Sequence, residues 1–282
     1  MEKDEYLTQQ LITYIGNKRA LLNFIGDGIK IVRNELGKDK LKIFDVFSGS
    51  GVTARYFRQY SDLLIVNDLE KYSAVINECY LSNQNELDLP ALRNEYDNIT
   101  NQLNKNLKKG IITELYAPQN DMEIQPNERV FSNYNCETFV YNEDSNKLIN
   151  DLPEVDLAYL DPPYNQHPYG SNYFMLNVIL DYKYPQNISA VSGIPDNWKR
   201  SDYNKNKKAL QALKELVSNI KTKYVLISFN SDGFITIDQM KEMLDKIGKY
   251  RILETRYNTF RGSRNLNKRD IHVKEYLYLL EK

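Results

Sequence analysis

The sequence contains few of the residues from which disulfide frameworks and metal clusters are built. Only two cysteines, Cys79 and Cys136, and two histidines, His167 and His272, occur among 282 residues. Their number and separation fit neither a disulfide framework nor a metal-binding spacing. We therefore expect reduced thiols, as in a cytosolic protein, and no bound metal.

Long apolar runs and a strong net charge are also missing. No run reaches the length that spans a membrane, and the first ten residues, MEKDEYLTQQ, lack the apolar region of a signal peptide. We therefore expect a cytoplasmic protein without membrane contact. The formal net charge of −1 argues against a generally basic nucleic-acid binder. A hydrophobic content of 41% is enough for one large α/β domain, alone or with a small insert.

The most informative stretch is Leu160-Asp161-Pro162-Pro163-Tyr164. It follows the apolar run from Val155 to Leu160, which has the length of a buried strand. The two prolines end strand pairing and favour an extended turn. A carboxylate and an aromatic ring are thus expected just beyond the carboxyl end of a strand, where ligands bind in open α/β sheets.

A glycine-containing loop follows an earlier predicted strand, Leu41 to Phe47. The segment Gly49-x-Gly51-x-x-Ala54 fits a nucleotide-binding fingerprint between a strand and a helix. The next strand leads to Asp68, where a carboxylate can accept ribose hydroxyls. Together these features indicate an adenosine-containing cofactor, either a dinucleotide or S-adenosylmethionine.

Two further polar positions each allow two interpretations. Lys18 closes the segment Tyr14-Ile15-Gly16-Asn17-Lys18 at the start of a predicted helix. It is either a surface lysine or a cation that holds a carboxylate. Asp144 follows a weak third strand, and it either accepts a bond from an adenine amine or caps the following helix.

The remaining segments carry candidate DNA contacts. The loop after the Asp-Pro-Pro-Tyr motif contains Tyr169 and Asn172, and the next loop contains Trp198, Lys199 and Arg200. A basic loop near the end of the chain contains Arg261 and Arg264. These charged residues either lie on a solvated face or contact DNA phosphates. Trp198 either anchors its loop or stacks on a base.

The order of these motifs resembles that of the alpha-class, Dam-like N6-adenine DNA methyltransferases. The residues that carry the resemblance are Tyr14-x-Gly16-x-Lys18, Phe47-x-Gly49-x-Gly51 and Asp161-Pro162-Pro163-Tyr164. The segments HPYGSNY and NTFRGSRN look like those of the restriction–modification branch, including type IIS enzymes. The resemblance covers nearly the whole chain.

The resemblance implies an α/β fold of the Rossmann-like S-adenosylmethionine-dependent methyltransferase type. Its mixed seven-stranded sheet would have an antiparallel last strand. Residues 1–70 and 136–282 would form the catalytic domain, and residues 71–135 a small, mostly helical target-recognition insert. The partners would be double-stranded DNA and, in such systems, a cognate restriction endonuclease, with the enzyme acting as a monomer.

The resemblance also implies roles for matching residues. Asp161, Pro162 and Tyr164 would act on a target adenine flipped out of the duplex. The S-adenosylmethionine site would be formed by Tyr14, Lys18, Asp45, Phe47, Gly49, Gly51, Asp68 and Asp144.

Three alternatives remain open at this point. N4-cytosine methylation uses the same amine chemistry, although Asp rather than Ser before Pro-Pro favours adenine. A dinucleotide-dependent oxidoreductase explains the glycine loop but leaves the Asp-Pro-Pro-Tyr motif unexplained. A non-catalytic DNA-binding methylase subunit would carry the fold without the transfer.

Overall fold

A computed structural model of the protein describes residues 2–12, 14–103, 110–111, 130–166, 168–258 and 272–282. The predicted positions Arg261 and Arg264 lie outside these residues. His167 also lies outside them.

The described chain alternates strands and helices through most of its length. The strands are β1 Leu41–Asp45, β2 Ser61–Asn67, β3 Glu137–Tyr141, β4 Val155–Leu160, β5 Thr222–Asn230, β6 Lys249–Asn258 and β7 His272–Glu281. The helices are α1 Asp4–Thr8, α2 Leu22–Leu36, α3 Val52–Phe57, α4 Lys71–Leu81, α5 Leu89–Leu103, α6 Ser145–Leu148, α7 Tyr169–Asn172, α8 Phe174–Asp181, α9 Asn206–Asn219 and α10 Ile237–Asp245.

The seven strands form one mixed sheet in the order β3-β2-β1-β4-β5-β7-β6. Strands β3, β2, β1, β4 and β5 are parallel to their neighbours, whereas β7 runs antiparallel to both β5 and β6. The predicted mixed seven-stranded sheet with an antiparallel last strand is therefore confirmed.

Apolar side chains cover both faces of the sheet because successive residues of a strand point to opposite faces. Ile43 and Leu157 belong to a core cluster with Ile25 and Ile29 of α2. Phe44 and Ala158, their neighbours along the chain, belong to a second cluster with residues of α6, α9 and α10. The sheet is thus buried between helices on both faces, as is usual for parallel strands.

Helix boundaries follow local signals in the sequence. Helix α2 ends at Gly37, which takes a left-handed conformation (φ 63°) and satisfies the last carbonyls of the helix. Helix α10 begins with a capping box in which Thr236 and Gln239 satisfy each other's backbone N–H groups. The predicted helix from Lys18 begins instead with a 3-10 turn, Arg19–Leu21, before α2.

The segment predicted as an insert, residues 71–135, begins with helix α4. The side chains of Tyr72, Asn77 and Tyr80 on this helix are buried, and α4 contacts α8, α3 and β3. Helix α5 is different, since its described side chains are all exposed. Helix α4 is therefore packed against the sheet domain, whereas α5 is exposed.

Candidate functional site at the carboxyl edge of the parallel strands

The predicted site residues meet at one edge of the sheet because four neighbouring parallel strands end there. Strand β1 leads into the glycine loop, β2 into Asp68, β3 into Asp144 and β4 into Asp161. The chain leaves β1 toward β2 on one side, and β4 lies on the other side. This is a topological switch point, where the loops diverge and leave a crevice.

The loop after β1 requires glycine at two positions. Gly49 and Gly51 both have positive φ, 52° and 74°. A side chain at Gly51 would also overlap the Oδ1 of buried Asn77. The Gly49 N–H donates to Oδ2 of Asp68 at 2.8 Å, and Ser73 donates to the Gly49 carbonyl at 2.6 Å. These contacts hold the backbone turn against the end of β2.

A cleft of about 830 Å³, open to solvent, lies above this loop. Its size falls within the usual range for small-molecule sites. Most of the predicted cofactor and catalytic residues line it: Tyr14, Lys18, Phe47, Gly49, Asp68, Asp144 and Asp161. Pro163, Tyr169 and Lys199 also line the cleft. The predicted cofactor and catalytic residues in this lining come from five separate segments of the chain, whereas Asp45, Gly51, Pro162 and Tyr164 are not part of the lining.

The acidic groups at the strand ends are held by backbone donors. Asp68 accepts from the N–H groups of Gly49 and Glu70, both at 2.8 Å. Burial raises the pKa of its carboxyl, and these two bonds lower it. Asp144 accepts from the N–H groups of Asn146 and Lys147 and so caps α6. Asp144 lines the cleft as well, so the capping role does not remove it from the site.

Lys18 is not a surface residue. Its side chain is 4% exposed, and its ammonium lies 2.7 Å from Oε1 of Glu275 and 3.1 Å from Oδ1 of Asp161. Burial opposes the charge on Lys18, but Asp161 and Glu275 together hold its pKa well above the usual value. Lys18 therefore holds carboxylates of the protein itself, one of them in the Asp-Pro-Pro-Tyr motif.

Burial also perturbs the carboxyl groups around this lysine. It raises the pKa of Asp161 to about 6; Lys18 counteracts this effect, and the charge of Glu275 adds to it. Asp45, at the end of β1, is fully buried, and neither of its carboxylate oxygens has a hydrogen bond, although the Phe47 N–H lies nearby. Burial and the charges of Asp161 and Asp68 raise the pKa of Asp45 well above its usual range. Unpartnered buried carboxylates are costly, and such groups concentrate at functional sites.

Aromatic rings close the side of the site formed by the N-terminal segment. The Tyr14 ring stacks on Tyr169 and Tyr173, with centroid distances of 5.1 and 4.9 Å. Tyr173 accepts a hydrogen bond from the Ile15 N–H at 2.6 Å. The segment around α7 therefore packs against the Tyr14–Lys18 segment. Tyr164 lies beside this group, with its ring centroid 5.9 Å from the Lys18 ammonium.

Of the candidate DNA-contact residues that the structure describes, Tyr169 and Lys199 line the cleft. Asn172 is exposed, and the Arg200 guanidinium lies over the half-buried Trp198 ring at 4.2 Å. Lys199 donates to the Leu69 carbonyl at 3.0 Å, so this residue contacts the wall of the cleft. Their role in binding DNA stays a prediction.

The strand order, with its antiparallel β7, and an acidic motif at the switch point define an α/β protein with a ligand site, and the family match identifies it as a methyltransferase. More specifically, the chain belongs to the D12 class N6 adenine-specific DNA methyltransferases, whose family model matches residues 14–117 and 116–243. The dinucleotide-dependent oxidoreductase is thereby excluded, and N6 of adenine is favoured over N4 of cytosine. The cofactor of the family is S-adenosylmethionine.

Individual relatives agree with this family. The type II methyltransferase M.NlaIII of Neisseria lactamica is 25% identical over 345 residues, covering 96% of this chain and 99% of that protein. M.CviAII of Paramecium bursaria Chlorella virus 1 is 30% identical over 141 residues, covering 50% of this chain and 40% of that protein. M.FokI of Planomicrobium okeanokoites is 30% identical over 145 residues, covering 50% of this chain but only 22% of that protein.

Sequence reasoning missed Glu275, which the structure places in the charged cluster beside Lys18. Its side chain is fully buried, although it is ionisable. The available signal was an acid directly before the apolar run Tyr276 to Leu280. Buried charges of this kind are rare unless they are paired.

Among the described residues, no group of three His, Cys, Asp or Glu side chains is placed to hold a metal ion. The described helices also include none that is long and apolar enough to cross a membrane.

Proposed function

We propose that Asp161, Pro162 and Tyr164 hold a flipped-out adenine of double-stranded DNA for methylation at N6. The observation that carries this proposal is that Asp161 lines the same cleft as the Gly49–Gly51 loop. An amine held at Asp161 would therefore lie next to a cofactor held at the glycine loop. Reaction between two bound groups gains from proximity and orientation.

The chemistry of the amine explains why these residue types are needed. The lone pair of an adenine amine is delocalised into the ring, so the nitrogen is a poor nucleophile. The Asp161 carboxylate and the Pro162 carbonyl can accept its two hydrogens, which favours a pyramidal and more nucleophilic nitrogen. The Tyr164 ring can stack on the extrahelical base. In this proposal Asp161 orients the amine and must be ionised to do so.

The cleft fits S-adenosylmethionine, which supplies an activated methyl group when it is bound. Asp45 is not among the residues that line the cleft, but its two buried oxygens without a hydrogen bond are of the kind that a cationic amino group would satisfy. The turn at Gly49 and Gly51 allows close backbone approach. We propose Asp68 for the ribose hydroxyls and Asp144 for the adenine amine of the cofactor.

Tyr14, Phe47 and Lys18 complete the proposed cofactor site. Tyr14 and Phe47 provide apolar walls, and the Phe47 ring is supported by an edge contact with Tyr203 at 5.0 Å. Lys18 is engaged by Asp161 and Glu275. We therefore propose that Lys18 acts on the site mainly by fixing Asp161.

The relatives are type II methyltransferases, and we propose that this enzyme likewise belongs to a restriction–modification system with a cognate endonuclease. It would act as a monomer in the cytoplasm. Residues 71–135 would recognise the target sequence. Within the described part of this segment, α5 is the helix whose side chains are exposed. Asn172, Trp198, Lys199 and Arg200, together with Arg261 and Arg264, would contact DNA around the cleft.

The proposed roles can be tested by separating binding from transfer. Asp161→Ala should abolish methyl transfer and leave the affinity for S-adenosylmethionine within about threefold, because the glycine loop and Asp68 are untouched. Calorimetry measures the affinity, and a radiolabelled methyl donor measures the transfer. Comparable transfer by purified Asp161→Ala would contradict the assignment of Asp161.

A further inference from the structure

Lys18, Asp161 and Glu275 form a buried charge cluster. Of these three residues, Glu275 neither lines the cleft nor belongs to the Asp-Pro-Pro-Tyr motif. Glu275 opens the apolar part of β7, directly opposite Asn230 of β5. Its Oε1 accepts from the Lys18 ammonium at 2.7 Å and from the Ser228 hydroxyl at 2.6 Å. Lys18 in turn reaches Asp161 at 3.1 Å. Three chain segments far apart in sequence are thus joined through one ammonium group.

This arrangement determines where the Lys18 side chain lies. A lysine has four rotatable side-chain bonds, and a single ion pair restricts them weakly. Two carboxylates, Asp161 just beyond β4 and Glu275 on β7, contact the ammonium, and Glu275 is itself fixed by the Ser228 hydroxyl, so the ammonium is confined between them. That position lies against Asp161. Removing Glu275 would leave the buried Lys18 ammonium with only one of its two carboxylate partners, so the cluster is expected to act as a unit.

We propose that Glu275 is a positioning residue for methyl transfer: anchored by Ser228, it fixes the Lys18 ammonium against Asp161 and sets the pH range in which Asp161 is ionised. The inference rests on the proposed role of Asp161 in orienting the adenine amine.

The charges around Asp161 predict the direction in which Glu275 shifts the pKa of Asp161. The titratable groups that face Asp161 and Lys18 are Glu275 from β7, Tyr159 from β4, Tyr164 and Tyr169 from the following loop, and Asp45 from β1. Burial raises the pKa of the Asp161 carboxyl, Lys18 lowers it, and the negative charge of Glu275 raises it. Removing only the charge of Glu275 should therefore lower the pKa of Asp161.

Glu275→Gln removes the charge and keeps an oxygen that can accept from Lys18 and Ser228. We expect the acid limb of the single-turnover rate to move to lower pH by about half to one unit. Glu275→Ala removes the anchor as well and should lower that rate about 10- to 100-fold, with little change in the KM for S-adenosylmethionine. Single-turnover measurement with saturating DNA isolates the chemical step from product release.

Glu254→Gln is the matched control, because Glu254 lies on the neighbouring strand β6 and pairs with Lys274 in an exposed position. It should leave the pH profile unchanged. A Glu275→Gln profile that coincides with the wild type would overturn the proposal, and so would a shift to higher pH.

A second readout does not depend on activity. The carboxyl carbon of Asp161, identified by comparison with Asp161→Asn, can be titrated by NMR in the wild type and in Glu275→Gln. A lower midpoint in the variant supports the proposal, and an unchanged midpoint refutes it even when the variant is inactive. If the wild type itself methylated no adenine, the proposed function would fail, and the NMR titration would still decide the role of Glu275.

Discussion

Asp161→Asn should stabilise the fold although it removes the proposed catalytic carboxylate. The side chain is largely buried, and its pKa rises from 3.8 to about 6. A pKa raised on folding gives stability that is complete below the unfolded value and lost as pH rises through the folded value. Ionised Asp161 therefore weakens the folded state at neutral pH, and a neutral amide of the same shape removes that penalty.

The magnitude follows from the two pKa values. Each pKa unit corresponds to about 1.4 kcal/mol, so the penalty at pH 7.5 is about 3 kcal/mol and falls to about half of that at pH 5. We expect Asp161→Asn to raise the free energy of unfolding by about 1–3 kcal/mol at pH 7.5, with a clearly smaller gain at pH 5. Urea unfolding at both pH values measures the difference.

A control on the same strand should change stability in the opposite direction. Asp156 on β4 pairs with Lys38 at 2.6 Å and accepts from the Lys42 N–H at 2.8 Å. Asp156→Asn should therefore lower the free energy of unfolding by about 0.5–1.5 kcal/mol. The reasoning would be refuted if Asp161→Asn were as stable as the wild type or less stable at pH 7.5, or if its gain did not depend on pH.

Three further predictions concern the glycine loop, Tyr14 of the proposed cofactor site, and the basic residues Lys199 and Arg200. Gly51→Ala should cost about 2–4 kcal/mol in urea unfolding, whereas Gly37→Ala, with similar φ but open space around it, should cost only about 1 kcal/mol; equal losses would remove the steric argument. Tyr14→Leu should weaken S-adenosylmethionine binding about fivefold to tenfold in calorimetry, since stacking contributes about 1 kcal/mol, and unchanged affinity would place Tyr14 outside the cofactor site. Replacing Lys199 and Arg200 by alanine should weaken binding to all DNA sequences. It should also reduce the slope of log affinity against log salt concentration by about one to two released ions, whereas an unchanged slope would show that both charges are solvated and do not contact phosphates.

Local sequence patterns predicted the strands well because each strand carries its own signal. The apolar run from Val155 to Leu160 is a strand with the predicted bounds, and the glycine loop follows β1 as predicted. Helix α9 was not predicted, although Ala209, Leu213 and Leu216 recur at helical spacing. Short helices such as α7 carry too few residues for a periodic pattern.

The position of each candidate residue at the site was predictable, but its partners were not. Parallel strands bring Asp68, Asp144 and Asp161 to one edge, so the order of motifs along the chain was sufficient. The pairing of Lys18 with Glu275 joins residues 257 positions apart, and it depends on β7 lying beside β5. No local pattern in the sequence shows that β7 lies beside β5. The sequence therefore left two interpretations of Lys18, a surface lysine or a cation that holds a carboxylate.

The central claim is most directly tested by identifying the methylated base. The purified protein would be incubated with labelled S-adenosylmethionine and unmethylated genomic DNA, and the DNA would then be digested to nucleosides and separated. The proposed site predicts N6-methyladenine from the wild type and none from Asp161→Ala. N4-methylcytosine would contradict the choice of base, and the absence of any methylated product with cofactor binding intact would indicate a non-catalytic DNA-binding subunit.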